Sequence, residues 1–104
     1  MTDVPQGVEM TPAQWKIVRS VLSSVVPEAR VWAFGSRVAG NAKPYSDLDL
    51  AVDAHNKLDL TILATLQEAF SESDLPFKVD IVDYFSAKES FKSIIDRSRL
   101  PLLG

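Results

Sequence analysis

Apolar residues recur along this chain with two different periods, and the switches between them outline its elements. From Thr11 to Val26, the residues Trp15, Val18, Leu22, Val25 and Val26 return at the three-and-four spacing of an amphipathic helix. Thr11 as N-cap, Pro12 at the first helical position and Gln14 at the third form a capping box, and Pro27 stops the helix. Val31-Trp32-Ala33-Phe34 reads as a short buried strand ending at Gly35. Residues 36–46 contain Gly40, Asn41 and Pro44 and read as a loop with at most one helical turn at its start. Leu48, Leu50 and Val52 then alternate with Asp47, Asp49, Ala51 and Asp53, the period-2 pattern of a strand with one apolar face.

The helical period resumes over about residues 58–72, where Ile62, Leu63, Leu66, Ala69 and Phe70 share one side and Asp59 suits the N-terminal end. Leu75-Pro76 breaks this helix, and Phe77 to Asp83 forms the third strand. Ser86-Ala87-Lys88-Glu89 reads as a second capping box, opening a helix to about Arg97 through Phe91, Ile94 and Ile95. The order helix, strand, strand, helix, strand, helix predicts an α/β (α+β) fold, a small mixed sheet with helices packed on one face. The whole of 1–104 is expected to be one domain, with residues 1–10 a loose lead-in and 98–104 a tail. Leu100-Pro101-Leu102-Leu103 is apolar for a tail, suited to docking on a partner or folding back on the core.

Composition narrows the function classes. With 46% hydrophobic and 24% charged residues the chain is ordinary for a globular protein. A net charge of −3 argues against duplex nucleic acid held by the protein's own charge, which needs clustered Lys and Arg. An acidic protein still binds a nucleoside triphosphate when metal ions neutralise both. Without cysteine there is no disulfide, thiolate metal site or thiol nucleophile. No apolar run reaches the roughly 20 residues of a membrane span, and the N-terminus lacks the pattern of a signal peptide, so a cytoplasmic protein is expected.

The chemistry concentrates between positions 35 and 53. Gly35-Ser36 ends one apolar run, ten residues follow, and Asp47 and Asp49 lead into the next. On a strand, side chains at i and i+2 share a face about 6.5–7 Å apart, a separation at which two carboxylates grip a pair of divalent ions for phosphoryl or nucleotidyl transfer. Asp80 stands in another apolar run, and an adjacent strand would bring it beside the pair. Three clustered carboxylates repel one another, and a cation relieves that cost. Taken singly, Gly35 is a turn residue, Ser36 a cap, and Asp47 and Asp49 a solvated strand face; the combination favours the metal reading.

Other motifs fail on the same residues. Gly35 and Gly40 match the glycines of a P-loop, but Asn41-Ala42 stand where Lys and Ser/Thr are needed. An EF-hand loop counted from Asp47 has Ala51 at a ligand position and Val52 where glycine is required. An Asp-x-Asp glycosyltransferase needs a much larger domain. Arg37, next to the Gly-Ser pair, suits neutralisation of a departing pyrophosphate, and equally an ordinary surface ion pair. Lys43, Tyr45 and His55 read as solvated, Asp53 and Asp83 as the charges expected at strand ends, and Trp15 and Trp32 as core.

Gly35-Ser36, ten residues, Asp47-Leu48-Asp49 and a later Asp80 resemble the signature of the DNA polymerase β nucleotidyltransferase superfamily. The flanking Trp-Ala-Phe-Gly-Ser-Arg-Val-Ala-Gly and Ser-Asp-Leu-Asp-Leu-Ala-Val are similar to its minimal nucleotidyltransferases (MNT), which pair with small helical HEPN proteins as antitoxin and toxin. The resemblance covers about residues 10–97. It implies that Asp47 and Asp49 bind two Mg²⁺ ions, and that Asp80 completes the catalytic metal site and helps the acceptor hydroxyl lose its proton. It also implies that Gly35 and Ser36 hold the β- and γ-phosphates of a nucleoside triphosphate, ATP. The acceptor it implies is a tyrosine hydroxyl on the HEPN partner. Two alternatives stand beside this: an antitoxin acting by contact alone, and nucleotide transfer to a small molecule, which resembles larger relatives with an extra helical domain.

Overall fold

The computed structural model describes residues 3–40 and 42–104. Its elements run α1 (Pro12–Val25), β1 (Arg30–Phe34), α2 (Ser36–Ala39), β2 (Leu48–Asp53), α3 (Leu60–Ser71), β3 (Val79–Asp83), α4 (Glu89–Ser98) and β4 (Leu100–Leu103). The capping box of α1 forms as read: Gln14 N–H donates to Thr11 Oγ1 at 3.1 Å, and Thr11 N–H to Gln14 Oε1 at 2.9 Å. Asp59 caps α3 by accepting from Thr61 N–H at 2.7 Å. The second expected capping box does not form. Ala87 N–H bonds to the Tyr84 carbonyl in a turn that takes up Ser86, so α4 starts behind Lys88 with no side-chain cap.

The strands make one mixed sheet in the order β3-β2-β1-β4. β1 is antiparallel to β2 and to β4, and β2 is parallel to β3, with α3 as the crossover that a parallel pair requires. On one face Val31, Leu48, Leu50 and Val52 are fully buried with Val18 and Leu22 of α1 and Leu66 of α3. The expectation of helices on one face therefore holds for α1 and α3 and needs correction for α4. That helix lies on the opposite face, where Ile95 joins Trp32, Phe34 and Ala51, and Phe91 meets Phe34 edge-on at 6.1 Å. Its apolar stripe is fixed by periodicity, but the side of the sheet it covers is fixed by the turn at Tyr84.

Of the two expectations for the C-terminal end the structure takes the second, folding back on the core, while the N-terminal end departs from expectation. The tail is a fourth strand: Leu100 and Leu103 pair with Ala33 and Val31, and Leu102 is buried. Pro101 is tolerated because β4 is an edge strand, where a missing N–H costs no ladder bond. The lead-in is pinned rather than loose, with Val8 in the core and Glu9 N–H donating to the Arg37 carbonyl at 2.8 Å. Met1 and Thr2 lie outside the described residues. Among the described residues no helix is long and apolar enough to cross a membrane.

Candidate active site

Strand register assembles the acidic site. The parallel pairing of β2 with β3 sets Asp49 directly opposite Asp80, and the antiparallel pairing with β1 sets Phe34 on the other side of Asp49. Register partners share a sheet face, so both carboxylates stand on the α4 side, at the end of the sheet that α4 leaves open. Asp47 comes two residues before Asp49, just ahead of β2, and is exposed while Asp49 and Asp80 are half-buried. Burial raises the pKa of Asp49, and the charges of Asp80 and then Asp47 raise it further. Asp49 thus sits within reach of the charges of both other carboxylates. Among the described residues, however, no three acidic or histidine side chains converge closely enough to hold one ion as they stand.

Gly35 explains why β1 must end where it does. Its φ of 82° and ψ of −154° fall in a region open essentially only to glycine. A Cβ here would collide with Oδ2 of Asp49, so the bare backbone is the wall against which that carboxylate rests. Ser36 opens the one-turn helix α2 immediately behind it, and Gly40 closes that turn in the left-handed conformation. The loop that follows brings the chain to Asp47; Asn41, within it, lies outside the described residues.

The family model for polymerase β nucleotidyltransferases matches residues 18–102, which includes every residue of this constellation. The chain belongs to the polymerase β nucleotidyltransferase family. A probable protein adenylyltransferase, MntA, of Haemophilus influenzae is 47% identical over 95 residues, spanning 91% of this chain and 82% of that protein. A crystal structure of a toxin–antitoxin with AMP-PNP superposes with a TM-score of 0.74 at 27% identity, over 86% of this chain and 73% of that one. The structure of a tri-AMPylated Shewanella oneidensis HEPN toxin with its MNT antitoxin gives 0.69 at 27% identity, over 91% and 73%.

Within this nucleotidyltransferase frame, Arg37 is buried, which corrects the reading of it as a surface arginine. It is only 5% exposed, and three of its five N–H donors bind backbone carbonyls: Nε donates to that of Ser46 at 3.0 Å, Nη1 to that of Glu9 at 2.7 Å and Nη2 to that of Pro44 at 3.1 Å. Its plane also lies 3.9 Å from the centroid of the Phe77 ring. Burial lowers its pKa while Glu9 and Asp47 push it back up, and an arginine stays charged in any case. Arg37 therefore fastens the loop before Asp47 to the N-terminal segment, and its burial holds the guanidinium in that role. The cation that does touch the nucleotidyltransferase carboxylates is Lys78, whose Nζ lies 3.4 Å from Asp80 Oδ1. Its signal in the sequence was the spacing of two from Asp80, which puts both on one face of an extended chain. His55, read as solvated, is exposed; Asp83, read as a strand-end charge, ends β3 and anchors the loop before α3 by accepting from Leu58 N–H at 3.0 Å.

Proposed function

We propose that this nucleotidyltransferase transfers AMP from ATP to a tyrosine hydroxyl of a helical HEPN-type partner, and thereby acts as its antitoxin in the cytoplasm. The observation that carries the reading is the Asp49–Asp80 register pair against the bare backbone of Gly35. Relatives named for protein adenylylation and for toxin–antitoxin pairing with a HEPN protein support the acceptor class.

The chemistry of the donors suits Mg²⁺: three short, hard-oxygen side chains near one end of the sheet. The Asp49 pKa is raised first by burial and then by the charges of Asp80 and Asp47, although as they stand the three do not converge on one ion. Asp47 and Asp49 would hold the metal, with Asp80 completing the set. Bound there, magnesium would supply charge for the triphosphate and acidify a hydroxyl. The chain's own contribution is position. Gly35 and Ser36 would offer backbone N–H groups and a hydroxyl to a phosphate at the end of β1. Asp80, facing Asp49 across the strand pair, is placed to accept the acceptor's proton. Arg37 keeps the loop before Asp47 in one conformation, so little ordering remains for the moment of reaction.

The test is incubation with α-labelled ATP, Mg²⁺ and a HEPN-type protein, followed by mapping of the label. Label on a partner tyrosine, lost when Asp47→Ala and Asp49→Ala are combined in a folded variant, is the expected result. If that variant neutralises the toxin as well as the parent does, contact alone is the function.

A further inference from the structure

Arg37 is buried and anchored to three backbone carbonyls, whereas a second positive charge, on Lys78, stands exposed against the Asp80 carboxylate itself. Lys78 precedes β3 by one residue, its carbonyl accepts from Leu48 N–H at 2.9 Å, and its ammonium reaches forward to Asp80. The backbone of Lys78 is thereby locked to the start of β2, beside Asp47, while its side chain remains 74% exposed. A fixed root and a free, four-carbon stem let the ammonium exchange partners at small entropic cost. The oxygen it holds belongs to a carboxylate expected to bind metal, so ammonium and divalent ion compete for Asp80.

We infer that Lys78 is an exchangeable counter-ion of the site: it neutralises Asp80 until a metal-bound triphosphate arrives, then passes its ammonium from Asp80 to the phosphates. This rests on the metal-dependent reading above. Lys78 is in that case a substrate-positioning residue, supplying a mobile charge where Arg37 is buried and anchored. The consequence is a pair of opposite effects from one substitution. Removing the ammonium should strengthen the binding of metal alone and weaken the binding of metal with nucleotide. A surface ion pair with only a structural role would produce neither.

The experiment compares the full chain with its Lys78→Gln variant, measuring free Mn²⁺ by electron paramagnetic resonance and a non-hydrolysable ATP analogue with Mg²⁺ by calorimetry. The variant is expected to bind Mn²⁺ roughly three- to tenfold more tightly and the analogue roughly three- to tenfold more weakly. Lys92→Gln removes the same charge from α4 without touching Asp80, and should change each affinity by less than about twofold. Equal Mn²⁺ affinities, or an analogue affinity that does not fall, overturn the role of Lys78 while leaving the metal site standing. If neither protein binds Mn²⁺, the metal reading fails and this inference fails with it.

Discussion

The two faces of the sheet obey different rules. Toward α1 and α3, every β2 position that points inward is Leu or Val, and Leu48, Leu50 and Val52 are fully buried. Toward α4, the same strand presents Asp49 and Ala51, and the face divides along its length. One end is apolar, with Trp32, Ala51 and Ile95 packed together; the other carries Asp49 and Asp80, with Phe34 at the border. The first face lowers its free energy by removing apolar area from water. The second accepts like charges side by side, which folding alone would not favour. A face that gives up stability in this way is where function is to be sought.

The sharpest way to break the contrast is through the buried face. Leu50→Ala should cost about 3 kcal/mol, lowering Tm by about 12–20 °C in thermal unfolding, while activity per folded molecule stays near that of the parent. Gly35→Ala should do the reverse. Its new Cβ displaces the Asp49 carboxylate, and transfer from α-labelled ATP falls by about a hundredfold or more with a smaller loss of Tm. Next comes Arg37→Met, which leaves the carbonyls of Glu9, Pro44 and Ser46 without their donor. A loss of about 2 kcal/mol in denaturant unfolding is expected, and faster proteolysis within residues 42–46 should accompany it.

The smallest effect has the opposite sign. Folding raises the pKa of Asp49, so the folded protein prefers the protonated carboxyl. Without metal, stability should therefore fall as pH rises from about 4 through that raised pKa. Asp49→Asn removes the penalty, raising Tm by about 2–4 °C at pH 7 in the presence of a chelator, with the difference vanishing toward pH 4. A variant less stable than the parent at pH 7 would show that the acidic face is not under strain.

How much of this was legible in the sequence varied with the range of the interaction. Asp47 and Asp49 were readable because a strand's period is fixed by its backbone, and Asp80 because adjacent strands align their outward residues. The side-chain direction of Arg37 was not readable. α2 is a single turn, and each step along it rotates a side chain by about 100°, so the residue after Ser36 swings away toward Glu9. β4 was read as a tail because four residues containing a proline carry no alternation of their own; its pairing depends on an edge of β1 that only the fold exposes. The placement of α4 failed to show for a similar reason, since an apolar stripe does not name the surface it meets. Local patterns revealed the chemistry, and long-range packing decided which neighbours serve it.

The most direct test of the central claim, that these carboxylates carry out nucleotidyl rather than phosphoryl transfer, is a paired labelling reaction. The protein, Mg²⁺ and a HEPN-type acceptor are incubated with α-labelled ATP in one tube and γ-labelled ATP in another, with an Asp49→Asn variant in parallel. The account predicts that the acceptor retains the α label only, and that the variant transfers neither. Retention of the γ label, or undiminished α-label transfer by the variant, would contradict it.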